Sequence, residues 1–243
     1  QYLIYPAIAL YISAPFEKRL LYGGFLLESA YLFLRATKAG RLPITGPHDT
    51  LILFGAFTGL SIIVFEYFRI RERMPYFLTG LLGAGMSAAA LLFEPLNTPL
   101  APVLRTFWFE FHVITAFLSY ALFGTGMVAG VVYLIKKKDP TVTGVNRFEE
   151  IQYKSILTGY SLFSASMIGG GIWAFYAWGS YWLWTPKELW TTLLWLFYSL
   201  YLHLRLKGPG WERLNVIMGI TGFGVVLFTY LGVSLLMKSS HTF

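Results

Sequence analysis

The sequence predicts an all-α integral membrane protein: a bundle of about eight transmembrane helices with a tryptophan-rich external loop. Three observations lead there. Of 243 residues, 56% are hydrophobic and only 13% charged, about half the charged share of an ordinary soluble domain. The apolar residues gather in runs close to the ~20 residues that cross a hydrocarbon core. The basic residues, which set a net charge of +7, lie between those runs, as loop charges do in membrane proteins. That placement excludes nucleic acid as the partner and makes the lipid bilayer the first one. No cysteine occurs, which excludes disulfides, thiolate-held zinc or iron–sulfur clusters, and covalent haem attachment to this chain.

The runs fall near 1–14, 20–36, 51–68, 75–93, 107–135, 156–176, 188–206 and 213–236. The first is too short to span and is expected to continue ahead of Gln1. Glu28 interrupts the second, and Glu66 stands near the end of the third. The longest connections, 37–50, 94–106 and 136–155, leave no room for a second domain. A single transmembrane domain is therefore expected over 1–243, with N-terminal helices over 1–106 and a core over 107–243. The loops after the odd-numbered runs hold 13 of the 19 lysines and arginines. Cytoplasmic loops carry that excess, so both termini and the segment 178–190 are expected on the external side.

That segment reads WGSYWLWTPKELW. Trp178, Trp182, Trp184 and Trp190 are four of the eight tryptophans, and Gly179 and Pro186 break the stretch. An interfacial belt explains indoles scattered over helix ends, and Trp108, Trp173, Trp195 and Trp211 are read that way. Four in one broken loop form a platform for a large flat ligand with polar edges. The histidines point the same way. His112 opens the fifth run and His241 follows the eighth, both at the level of the tryptophans. Haem is such a ligand, with an axial imidazole on each side of its iron. Lys187, Arg105, Ser180 and Tyr181 are the nearest candidates for its propionates. His203 lies within a span, where a histidine is costly and functional by default. His48 follows the turn signature Gly46-Pro47 and reads as a loop residue.

The segment WGSYWLWTPKELW resembles the WWD signature of the haem-handling proteins of cytochrome c assembly. Trp178, Gly179, Trp182, Trp184, Glu188 and Trp190 match it. FHVITAFLSYALF, YLHLR and the GVSLLMKSSHTF ending are similar to the family's histidine segments, and to its CcsA/ResC branch more than to CcmC or CcmF. The resemblance covers roughly 107–243. It implies non-covalent b-type haem in a multi-pass bacterial inner or thylakoid membrane, transported to the external face for attachment to apocytochrome c. It also implies a CcsB/ResB-like membrane subunit that shares any haem lyase activity. His112 and His241 would be external axial ligands, and His203 would ligate a membrane-level haem with a histidine from that partner. Trp178, Trp182, Trp184 and Trp190 would cradle the haem.

Thr185 departs from the pattern, standing where the family has the Asp that names the motif. Leu183 and Leu189 replace frequent Ser and Thr, and Glu28 stands where many relatives carry histidine. Two other readings stay open on the residues. One is a quinone-linked electron-transfer subunit that holds haem b and passes electrons to an external cytochrome. The other is a cofactor-free membrane subunit with an aromatic belt.

Overall fold

The computed structural model describes residues 2–137 and 144–236, and among them every regular element is helical. Helices α1 (Ile4–Ile12), α2 (Leu20–Ala39), α3 (Pro47–Gly59), α4 (Ile62–Tyr67) and α5 (Arg73–Ala90) come first. α2 runs past its apolar stretch to Gly40, whose φ of +64° closes it in the left-handed conformation that suits glycine. α3 starts four residues before its expected span. Pro47 occupies its first turn, where a missing N–H costs nothing, and His48 is thereby drawn into a helix rather than a loop. The third run is also divided. Between α3 and α4, Ser61 Oγ lies 2.6 Å from Thr125 Oγ1 of the sixth helix.

The N-terminal helices close around Tyr11. A Cβ on Gly24 would overlap its ring, and one on Gly80 would overlap its carbonyl oxygen. Small residues here let backbones approach closely enough for dispersion to hold the helices together. Glu28 does not interrupt α2. It is fully buried, and the hydroxyls of Tyr11, at 2.8 Å, and Ser87 bond its carboxyl.

The second group comprises α6 (Phe107–Lys136), α7 (Asn146–Trp178), α8 (Pro186–Arg205), α9 (Glu212–Leu227), a π turn (Phe228–Gly232) and α10 (Val233–Leu236). Thr106 caps α6, its Oγ1 accepting the Phe109 N–H at 3.2 Å. α7 begins ten residues before its expected span. Its first turns bury Phe148 and Ile151, and Glu149 pairs with Arg205 of α8 at 2.9 Å. An amphipathic start of this kind is invisible to a hydropathy window. The α6–α7 pair is the most extensive packing in the described residues, and α3 and α5 join the two groups through α6.

Among the described residues three helical stretches, Pro47–Tyr67, Phe107–Lys136 and Glu212–Gly232, are long and apolar enough to cross a membrane. The tryptophan segment is less of a loop than its composition implies. Trp178 is the last residue of α7 and Trp190 lies inside α8, which leaves Trp182 and Trp184 in the connection.

Candidate functional site

A cavity of about 350 Å³ opens where α6, α7, the 179–185 connection, the start of α8 and the π turn meet. His112 reaches it from the second turn of α6. Its Nδ1 lies 2.8 Å from the Ser166 carbonyl oxygen and 3.0 Å from Ser166 Oγ, while that hydroxyl donates to the His112 carbonyl at 2.8 Å. A carbonyl only accepts, so Nδ1 carries the proton and Nε2 holds the lone pair. This is how iron-ligating and zinc-ligating imidazoles are oriented. The ring lies close against Gly170, where a Cβ would stand 2.7 Å from Nδ1.

The walls are aromatic. Trp182 lines the cavity from the connection, and Tyr181, beside it, stacks on Phe175 at 4.5 Å. Trp173 lines it too, buried to 6% exposure, with its indole N–H donating to the Val103 carbonyl at 2.8 Å. Sequence reasoning put Trp173 in an interfacial belt. The signal for its true position was the Gly169–Gly171 triplet just before it. Those glycines let Phe111, His112 and the Tyr181 carbonyl approach α7. Thr229 and Tyr230 also line the cavity, and Tyr230 lies 2.7 Å from Thr50 Oγ1 of α3. Both belong to the π turn, a distortion common at functional sites and not legible in hydropathy.

Trp178, Trp184 and Trp190 are not among the residues lining this cavity. Trp178 packs edge-on against Trp173 at 4.8 Å, and Trp190 packs on Phe228 of the π turn at 4.5 Å. Trp184 is 67% exposed and has φ +57°, a strained conformation for a bulky residue. Glu188 holds it there. One carboxylate oxygen accepts the N–H groups of Leu183 and Thr185, each at 2.9 Å, on either side of Trp184. Thr185 Oγ1 in turn accepts the Glu188 N–H, completing a capping box at the start of α8. Asp and Thr both cap helices, so the departure at Thr185 preserves the local fold.

Lys187 also lines the cavity, one residue ahead of the span read from the sequence. Burial pushes its ammonium below the ordinary lysine value. Of the other propionate candidates, Tyr181 lines the cavity, Ser180 donates to the Trp182 carbonyl at 3.0 Å, and Arg105 Nε donates to the Leu100 carbonyl at 3.0 Å.

The remaining histidines differ. His48 is buried at 1% exposure with both ring nitrogens committed. Tyr31 Oη lies 2.8 Å from Nε2, and the Ala90 and Phe93 carbonyls lie 2.9 and 3.0 Å from Nδ1. His203 sits on the exposed side of α8, with Nδ1 donating to the Ser199 carbonyl at 2.7 Å. His241 lies outside the described residues.

Known proteins resemble most of the chain. The profile of the cytochrome C assembly protein family matches residues 46–241. CcsA of Chlamydomonas reinhardtii is 31% identical over 236 residues, covering 90% of this chain and 65% of that protein. CcsA of Prochlorococcus marinus strain AS9601 is 30% identical over 251 residues, covering 90% of this chain and 81% of its own. NrfI of Wolinella succinogenes is 31% identical over 228 residues; the chain spans 25% of that protein and less than two thirds of the Chlamydomonas one. Among solved structures, the cytochrome c haem lyase CcmF has the same fold, with a TM-score of 0.66 at 14% identity over 95% of this chain and 46% of its own. The chain belongs to the cytochrome c assembly protein family.

Proposed function

We propose that the cavity holds b-type haem non-covalently at the external face and presents it for attachment to an apocytochrome c. The observation that carries this is His112, oriented through Nδ1 by the Ser166 carbonyl, in the wall of an aromatic-lined cavity. A single imidazole is too small a donor set for a protein-built metal cage. It suffices where a macrocycle supplies four nitrogens of its own. The cavity volume lies within the ~300–1,000 Å³ that holds ligands of this class.

Haem bound here would supply the iron that His112 ligates and the vinyl groups that the thiols of a Cys-x-x-Cys-His motif meet. The chain's own contribution is placement. Trp173 and Trp182 offer flat apolar walls, and Lys187 offers an ammonium to a carboxylate edge. Glu188 fixes the connection so that Trp182 keeps its position. Holding haem beside a docked polypeptide is chiefly a proximity effect, and it requires no acid or base from this chain.

The arrangement belongs to a multi-pass reading in which α3 with α4, and α9 with α10, each make one crossing, giving eight in all. Lysine and arginine counts orient the cavity outward. His241 is the proposed second axial ligand. Trp178, Trp184 and Trp190 shape the rim rather than the walls. His203, on the outer side of α8, is proposed to ligate a membrane-level haem with a histidine from a CcsB/ResB-like subunit. The alternative is an electron-transfer subunit on the same fold, since haem held between two imidazoles also suits a redox carrier.

The test uses a host without its own assembly system, a reporter apocytochrome c and the CcsB/ResB-like partner. Covalent haem staining of the reporter is expected to require this chain, His112 and Trp182. A reporter that stays unstained, while the folded wild-type chain holds haem that a quinol reduces, would establish the electron-transfer reading instead.

A further inference from the structure

A second cavity, of about 640 Å³, lies beside the first and is its chemical opposite. Lys38 and Arg41 line it from the end of α2, Arg105 from the α5–α6 connection, and Glu110 from the first turn of α6. Three cations face one carboxylate, and the N-terminus of a 30-residue helix adds its partial positive charge.

The cations at the other end of the bundle are arranged differently. There Lys18 pairs with Glu66, Lys136 with Glu72, Lys137 with Glu212 and Arg205 with Glu149 at 2.9–3.2 Å, and at the near end Arg35, outside the cavity lining, pairs with Asp49 at 2.8 Å. At this cavity no such pairing occurs among the described residues, although Glu110 lines the same space. Arg41 is spent on structure, its guanidinium donating to Thr45 Oγ1 and to the Leu96 and Thr98 carbonyls. Arg105 commits only Nε, to the Leu100 carbonyl. Neither Lys38 Nζ nor the terminal nitrogens of Arg105 bond a described residue. Lys38 and Arg105 are both exposed, and the positive charge in excess of Glu110 is offered to an anion at this cavity. The excess-positive rule for cytoplasmic loops does not explain the cluster, because this is the end poorer in lysine and arginine.

Part of the cavity's lining is apolar. Phe107, 68% exposed, lines it and stacks on Phe111 at 5.9 Å, and Leu100 forms part of the wall. Exposed cations beside an exposed aromatic ring match a molecule with an anionic head and an apolar body.

We propose that this cavity binds the phosphate headgroup of an anionic lipid, with Lys38 and Arg105 as its ligands and Phe107 against the glycerol or acyl portion. The site shares a wall with the haem cavity through the Arg41–Thr45 and Leu104–Arg105 neighbours but does not depend on haem being there.

The test is native mass spectrometry of the full chain released from nanodiscs of phosphatidylcholine with or without phosphatidylglycerol. The wild type is expected to retain one phosphatidylglycerol in preference to phosphatidylcholine. Lys38→Gln with Arg105→Gln is expected to lower that retention about 30-fold, at about fivefold per charge. Glu110→Gln, which removes the competing carboxylate, is expected to raise it about fivefold, a gain that misfolding cannot produce. Inorganic phosphate added as competitor separates the sources of the anion: no displacement supports the lipid, and complete displacement at low concentration overturns it in favour of free phosphate. Equal retention by wild type and the double variant overturns the site. So does unchanged lipid retention accompanied by loss of an acidic polypeptide, which would make the cavity a protein-docking surface.

Discussion

His48 and His112 stand in the same tautomer at the same end of the bundle, on helices that touch, yet their surroundings are unlike. Each has Nδ1 directed at backbone carbonyl oxygen. His48 then meets the Tyr31 hydroxyl in a sealed part of the N-terminal helices, whereas His112 lines a cavity. The same imidazole is thus a strut in one place and a candidate ligand in the other. What separates them is the packing behind the ring. Tyr11 and Glu28 tie α1, α2, α3 and α5 together through Gly55 and Ser87, while α6, α7 and the π turn line a cavity.

The largest expected effect breaks this comparison directly. His112→Ala is expected to abolish the haem absorbance of the purified protein while leaving its unfolding temperature near that of wild type. His48→Ala should do the reverse. It orphans the Tyr31 hydroxyl and opens a hole, at about 2–4 kcal/mol, with the absorbance spectrum unchanged. Spectra and thermal melts of both variants check it. A folded His48→Ala protein without haem bands would erase the distinction between the two sites.

Two glycines sharpen the contrast one level down. Gly80→Ala drives a methyl into the Tyr11 backbone, which no side-chain rotation relieves. A loss of about 1–3 kcal/mol is expected from such overpacking, read in a melt. Gly170→Ala presses on the imidazole of His112 instead. There the expected loss is about tenfold in haem affinity, the scale of a disturbed ligand orientation, measured by haem titration.

These pairs also mark what the sequence could and could not disclose. The apolar run marks the α6 start at Phe107, whereas it begins two residues inside α8, whose Pro186 reads in the sequence as a break rather than a first turn. The place of His112 beside the cavity was legible because it stands near the start of an apolar run at the level of the tryptophans. The surroundings of His48 were not, since they depend on Tyr31 and Ala90 of other helices, and those of Trp173 showed only in the glycines before it. The start of α7 was hidden for a related reason. Its Phe148 and Ile151 face the core while Glu149 needs Arg205, 56 residues away, and no window of sequence contains both.

The connection before α8 supplies a smaller effect. Glu188→Ala removes the acceptor of two backbone N–H groups and half the capping box. The expected cost is about 0.5–2 kcal/mol. Trp184 should leave its left-handed conformation, which costs of order 1–3 kcal/mol to hold, and its fluorescence should broaden and shift. Covalent attachment to a reporter cytochrome should fall with it if the connection positions Trp182.

The smallest effect concerns the residue that departs from the family signature. Thr185→Asp exchanges one good N-cap for another at a helix N-terminus that favours negative charge by about 0.3–1 kcal/mol. Stability should therefore rise slightly or stay level, whereas Thr185→Ala should lose about 1 kcal/mol. If reporter attachment follows the same order, position 185 acts through the cap that holds Glu188 against the Trp184 backbone. If Thr185→Asp raises attachment severalfold with no change in the melt, the carboxylate acts on the ligand itself, and the fold of the connection is not what the signature residue protects.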